Sequence, residues 1–242
     1  MIKSSFLQKQ IKKAHKEKRT PNFLRRLTFL IVDTALKKHY PESYPMKCLQ
    51  SAIAINLVLE RFGIKSRAYI GEVCVAQVFD TDNNYASWNG FWGEDHHVWS
   101  CNEFGEYIDL TIRYLHIHPA TNRTGQIPMP AIWWEDTVDW PMVIKYLYQG
   151  PVDPKLPVEE MKDLEDFKRS VASCLDDYLE KNSVQNVEFQ PIIHGTKSMN
   201  ELYEQGNLWL QKSLIFQEQN VQFPQRIQER EKELVANYEK QN

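Results

Sequence analysis

CLQSAIAINLVLERFG, residues 48–63, sets a cysteine at the head of an apolar run in which Leu49, Ala52, Ile53, Asn56 and Leu59 recur at helical intervals. Gly63 stands where a left-handed residue ends a helix, and Ile64 can fold back on Leu59 as the accompanying apolar contact. The next segment, SRAYIGEVCVAQVF over 66–79, changes to a β-like pattern, with Ala68, Ile70, Val73 and Val75 among the candidates for burial. A helix that carries a cysteine and feeds a strand is the nucleus of an α+β domain.

Downstream come HHVW (96–99) and GEYIDLT (105–111), which read as the two arms of a β-hairpin, roughly 97–102 and 106–111. If Glu103, Phe104 and Gly105 form a three-residue loop with Gly105 left-handed, Trp99 lies opposite Asp109 and His97 opposite Thr111. His97 and Asp109 then share one face as diagonal neighbours about 7–8 Å apart at the backbone. His96 points the other way. A two- or four-residue loop reverses this parity and favours His96. Cys48, His97 and Asp109 together supply what cysteine-based acyl transfer needs: a thiolate nucleophile, an imidazole that takes and returns its proton, and a carboxylate that fixes the imidazole tautomer. Pro45 suits a first helical position, which puts Cys48 in or just after the opening turn. There the helix N-terminus favours the thiolate and offers backbone N–H groups to a developing oxyanion.

Taken singly, each residue has a plainer role. Free cysteine is among the most buried residue types, a histidine beside a tryptophan can be a core residue, and Asp109 can be a turn acid or a cap. Their joint placement carries the argument. CLQSAIAINLVLERFGIKSRAYIGEV, HHVW and GEYIDLT resemble the core of the transglutaminase-like superfamily, which has the papain-like fold, over residues 44–115. The resemblance implies a nucleophile at Cys48, its histidine at His97 and its aspartate at Asp109. The implied activity is attack on a peptide or amide carbonyl through a thioester, with hydrolysis favoured. Amine transfer, as in transglutamination or N-acylation, is the alternative, and a noncatalytic peptide-binding module on the same fold is a rival from another class. The chemistry requires no metal and no organic cofactor, and the substrate expected is a protein, a peptide or a small amide.

Around this core, composition suggests three segments: a basic helical arm over 1–40, the core over 41–150 and a mainly helical extension over 151–242. Residues 1–38 carry eleven Lys or Arg against Glu17 and Asp33, a charge of +9 that leaves −12 for the remainder of a chain at −3. Such an arm suits nucleic acid, an acidic membrane surface or a partner, or it docks on the acidic body; no recognition motif accompanies it, so no nucleic-acid role follows. Residues 1–19 read as polar and frayed, and 23–39 as a helix. Residues 80–94 read as a loop, 119–157 as an irregular excursion, 158–181 as a helix and 187–193 as a strand. Ser198 with Glu201 suggests a capping box for a helix to about residue 217, and a last charged helix begins near Pro224.

Six of the seven tryptophans, Trp88, Trp92, Trp99, Trp133, Trp134 and Trp140, fall between 88 and 140. Large aromatics are mostly core, but Trp88 and Trp92 just before His97, with Trp99 beside it, are candidates for a substrate groove. Tyr44 is the candidate side-chain oxyanion donor. His116 and His118 with Cys101 or Asp109 form a weaker metal constellation, and surface or core histidines are preferred. The four cysteines lie far apart with no C-x-x-C pair, and neither a secretory signal nor a bilayer-spanning run is apparent. A reducing, cytoplasmic setting is expected.

Overall fold

The computed structural model describes residues 1–80, 87–135, 141–153 and 155–241, with side chains through 237. Helices α1 (Ser4–Glu17) and α2 (Asn22–His39) precede a 3-10 turn (Tyr44–Met46) and α3 (Cys48–Arg61). Strands β1 (Ser66–Gln77), β2 (Ser87–Phe91), β3 (His97–Asn102) and β4 (Tyr107–Asp109) follow, then a 3-10 turn (Thr111–Tyr114). Next come β5 (Ala131–Trp134), β6 (Ile144–Pro151), α4 (Val158–Lys181) and a 3-10 turn (Val184–Asn186). The chain closes with β7 (Ile192–Ile193), α5 (Thr196–Glu204), α6 (Leu208–Glu218) and α7 (Gln225–Gln241). The architecture is α+β, with a seven-stranded sheet that is antiparallel except where β5 meets β7.

β1 organises the sheet. One of its edges pairs with β6. The other is shared end to end by β3, opposite Ser66–Gly71, and β2, opposite Val73–Gln77. At the junction His97 faces Gly71 and Phe91 faces Val73, which brings the two rings together on one face of the sheet. Gly71 is required there: a Cβ would lie 2.1 Å from the Leu147 carbonyl oxygen and 2.7 Å from the Trp99 ring.

α3 covers the opposite face, where Ala52 packs with Ala68 and Val98, and Asn56 accepts a hydrogen bond from Ser100. Nine α2 residues are buried, and the seven apolar ones, among them Leu24, Leu27, Ile31 and Leu36, share one apolar cluster with α3, α4, Ile108 and Trp133. Helices from all three segments therefore meet in a common core. α1 is a helix rather than a frayed tail, seated through buried Ile2 and Ala14.

Several elements differ from expectation. β2 forms inside the expected 80–94 loop because the long β1 needs a partner beyond Gly71, and Gly90 allows that strand to approach Val73 closely. β5 and β6 occupy parts of the expected excursion: the fully buried AIWW pairs with β4 while β6 covers β1. The expected strand over 187–193 is reduced to Ile192–Ile193. The helix expected up to residue 217 is two helices broken at Gly206, φ +84°, with Asn207 capping the second through Leu210 N–H. Ser198 lies within α5 and donates to the Gly195 carbonyl instead of capping it.

Candidate functional site

α3 starts at Cys48, and Pro45 belongs to the separate 3-10 turn before it, so the cysteine occupies the first helical position. The β3–β4 hairpin has the three-residue loop: Asn102 and Glu106 close it, Gly105 has φ +80°, and Ser100 pairs with Ile108. This register sets Trp99 opposite Asp109 and puts His97 and Asp109 on one face. The second strand stops at Asp109 rather than at residue 111. Asp109 Oδ1 accepts the Ile112 N–H at 3.1 Å and the Thr111 hydroxyl at 3.2 Å, and this local cap turns the chain into a 3-10 helix.

The tip of the hairpin is anchored by a buried polar network. Glu106 accepts from Arg25 (2.7 Å), Thr20 (2.5 Å), Asn102 (2.6 Å) and Trp133 (3.0 Å), while Glu135 binds both Arg25 and Arg19 at 2.5 Å. Arg25 of the basic N-terminal segment thus holds the hairpin that sets the His97–Asp109 register, and Arg19 joins the network through Glu135.

His97 is 2% exposed, and its Nε2 donates to Asp109 Oδ2 at 2.7 Å. The same carboxylate oxygen accepts the Tyr146 hydroxyl at 2.8 Å. Asp109 therefore has four donors, which hold it rigid as an acceptor for the imidazole. Burial and then the Asp109 charge push the Tyr146 hydroxyl far above its ordinary pKa, so it remains a donor. Phe91 stacks on one side of the His97 ring at 5.4 Å with 4° between planes, and Trp99 stacks at 6.5 Å. The imidazole has little rotational freedom.

The other ring nitrogen, Nδ1, is buried without a well-aligned hydrogen bond, yet the imidazole and the Cys48 thiol shift one another's pKa. Burial opposes ionisation of Cys48, but the interaction with His97 and the Val98 backbone N–H outweigh it, and the thiol lies below its ordinary pKa. Burial likewise opposes charge on His97, but Asp109 and the Cys48 thiolate hold the imidazolium well above the usual histidine range. The pair favours thiolate and imidazolium together. The other cysteines behave oppositely: burial raises Cys74, Cys174 and Cys101, the last to about 12.

A cleft of about 150 Å³ lies at Cys48, lined by Pro45, Met46, Cys48, Phe91, His96, His97, Thr111, Leu115 and His118. The structure thus brings Cys48, His97 and Asp109 together, while the expected groove aromatics lie elsewhere. Trp88 packs on Phe216 and Phe223 and donates to the Gln222 carbonyl. Trp92 joins the cluster of Cys74, Leu147 and Ile227. Trp99 is buried behind His97, and Tyr44 turns to Tyr114 at 5.0 Å. Trp133 and Trp134 are fully buried, and Trp140 lies outside the described residues.

Phe91, Tyr146 and His118 were missed as site residues. Phe91 and Tyr146 sit on strands that the sequence disguises as a loop and an irregular stretch, and His118 stood out only as half of a weak metal pair. Among the described residues, no three His, Cys, Asp or Glu side chains converge as a metal site, and no helix is long and apolar enough to cross a membrane. No family model matches the chain, and neither a curated protein nor a solved structure is found to be similar to it.

Proposed function

We propose that the protein is a cysteine-dependent acyl-transfer enzyme of transglutaminase-like, papain-like architecture that acts on a peptide or amide carbonyl, with water as the favoured acceptor. One observation carries this reading. A single buried imidazole is shared between a carboxylate and the one cysteine whose pKa falls, and that cysteine lines a cleft. The four free cysteines fit a reducing compartment, taken here as the cytoplasm.

The thiolate of Cys48 attacks the carbonyl carbon, and the C=O electron pair moves to oxygen beside the N-terminal amides of α3. Collapse of the intermediate breaks the C–N bond, and the His97 imidazolium gives its proton to the departing amine, leaving a thioester. Water, deprotonated by the now neutral His97, attacks the thioester and returns the acid product and the thiol. An amine in place of water gives a new amide by the same steps. Asp109 keeps the proton on Nε2, so that Nδ1 is the nitrogen that serves the sulfur.

The test compares wild type with Cys48→Ser. The substitution preserves shape but supplies a hydroxyl that is hardly ionised near neutral pH. Proteome-wide detection of fragments and amine-linked products after incubation provides the substrate. Products formed by wild type alone support the enzyme, and their identity distinguishes water from amine. Identical products, or capture of one partner by both proteins without turnover, would establish a binding module instead.

A further inference from the structure

The cleft holds two histidines besides His97, and their tautomers differ. His96 Nδ1 lies 3.0 Å from the Glu94 carbonyl oxygen, to which it must donate. Neutral His96 therefore presents only an acceptor at Nε2. His118 is the reverse. Its Nδ1 accepts the Ala120 backbone N–H at 3.2 Å, which places the proton of the neutral ring on Nε2. That Nε2–H has no partner among the described residues.

The His118 ring is held edge-on against Phe91 at 5.0 Å, and Phe91 stacks in turn on His97. The donor is therefore fixed to the same aromatic wall as the imidazole that serves Cys48. Burial and then the His97 charge push the His118 pKa down from its ordinary value, with Asp95 acting against them, so near neutral pH the ring is neutral while His97 is an imidazolium. In that form its Nε2–H donates without adding a second positive charge to the cleft.

We propose that His118 is a further catalytic residue, whose Nε2–H binds the substrate carbonyl oxygen and stabilises the oxyanion formed when Cys48 attacks. The inference rests on the acyl-transfer function proposed above. His118 gives the cleft a side-chain oxyanion donor, a position that Tyr44, turned toward Tyr114, does not fill. The oxyanion donor acts only when a carbonyl becomes tetrahedral. It has no part in attack at a saturated carbon.

Two reagents separate these cases. With p-nitrophenyl acetate, Cys48 forms an S–C bond, the carbonyl passes through an oxyanion, and the C–O bond to p-nitrophenolate breaks. With iodoacetamide, the sulfur displaces iodide from a CH₂ group and no oxyanion forms. Both rates at Cys48 are measured by intact-protein mass spectrometry, with peptide mapping to assign the site. His118→Ala is expected to slow acylation at least tenfold while leaving alkylation within twofold of wild type, the direction seen when oxyanion donors are removed. His118→Gln, which carries an amide donor, should recover part of the loss. Unchanged acylation, or an equal loss of both rates, overturns the role of His118. If wild-type Cys48 is not labelled in preference to Cys74, Cys101 and Cys174 by either reagent, the acyl-transfer reading fails first and the role of His118 falls with it.

Discussion

His97→Ala removes the group that turns a half-buried thiol into a nucleophile, and its effect has a distinctive dependence on pH. The imidazolium must overcome burial, which pushes the other cysteines upward, before it lowers Cys48. A charge-assisted contact contributes about 1.5–3 kcal/mol, or about 1–2 pKa units. At a pH below either thiol pKa, losing it reduces the thiolate fraction about 10–100-fold. The more basic thiolate is intrinsically more nucleophilic, by a factor growing about half as steeply with pKa, so the alkylation rate falls only about 3–10-fold. At alkaline pH, where both thiols are ionised, the variant becomes the faster by about the same factor. Rates of iodoacetamide labelling at Cys48 between pH 5 and 11 should therefore cross. Parallel profiles would mean that His97 controls access rather than ionisation. A wild-type profile matching an ordinary cysteine would refute activation altogether.

Other expectations follow from the same contacts. Asp109→Asn keeps an oxygen for the Ile112 N–H but removes the charge that holds His97. Its circular dichroism spectrum should match wild type while Cys48 acylation by p-nitrophenyl acetate drops by about 100-fold or more, the tautomer penalty seen for such dyads; a loss under threefold would show that Asp109 is only a cap. Gly71→Ala drives a methyl into the Leu147 carbonyl and the Trp99 ring, so urea unfolding should register a loss of about 1–3 kcal/mol from overpacking. An unchanged midpoint would mean that β1 and β6 separate easily. Glu135 is 18% exposed; burial opposes its charge, but His194, Arg25 and Arg19 hold its carboxyl at about 2 against an ordinary 4.5. A depressed carboxyl stabilises the fold above its unfolded pKa and loses that stabilisation as pH falls through the folded value. Unfolding free energies should therefore decline between pH 4.5 and 2 by up to about 3 kcal/mol from this group, a decline missing in Glu135→Gln.

The sequence alone determined the parts of the site that depend on local periodicity. Helical spacing and Gly63 delimit α3 and place Cys48 at its start, because a helix end is set by nearby backbone groups. Strand alternation and a three-residue loop ending in left-handed Gly105 put His97 and Asp109 on one face, because side-chain parity follows from counting residues across a turn. Tertiary structure decided the rest. β2 and β3 share one edge of β1, and nothing in SWNGF announces that its Phe91 will stack on His97. The Tyr146 hydroxyl reaches Asp109 only because β6 joins the sheet, and His118 enters the cleft only because Asp109 ends its strand and turns the chain. Trp88, adjacent in sequence, packs instead under the C-terminal helices. Local pattern records which face a residue occupies, whereas the neighbour it meets there depends on pairings between distant segments, whose stabilisation comes from burial that no short window of sequence contains.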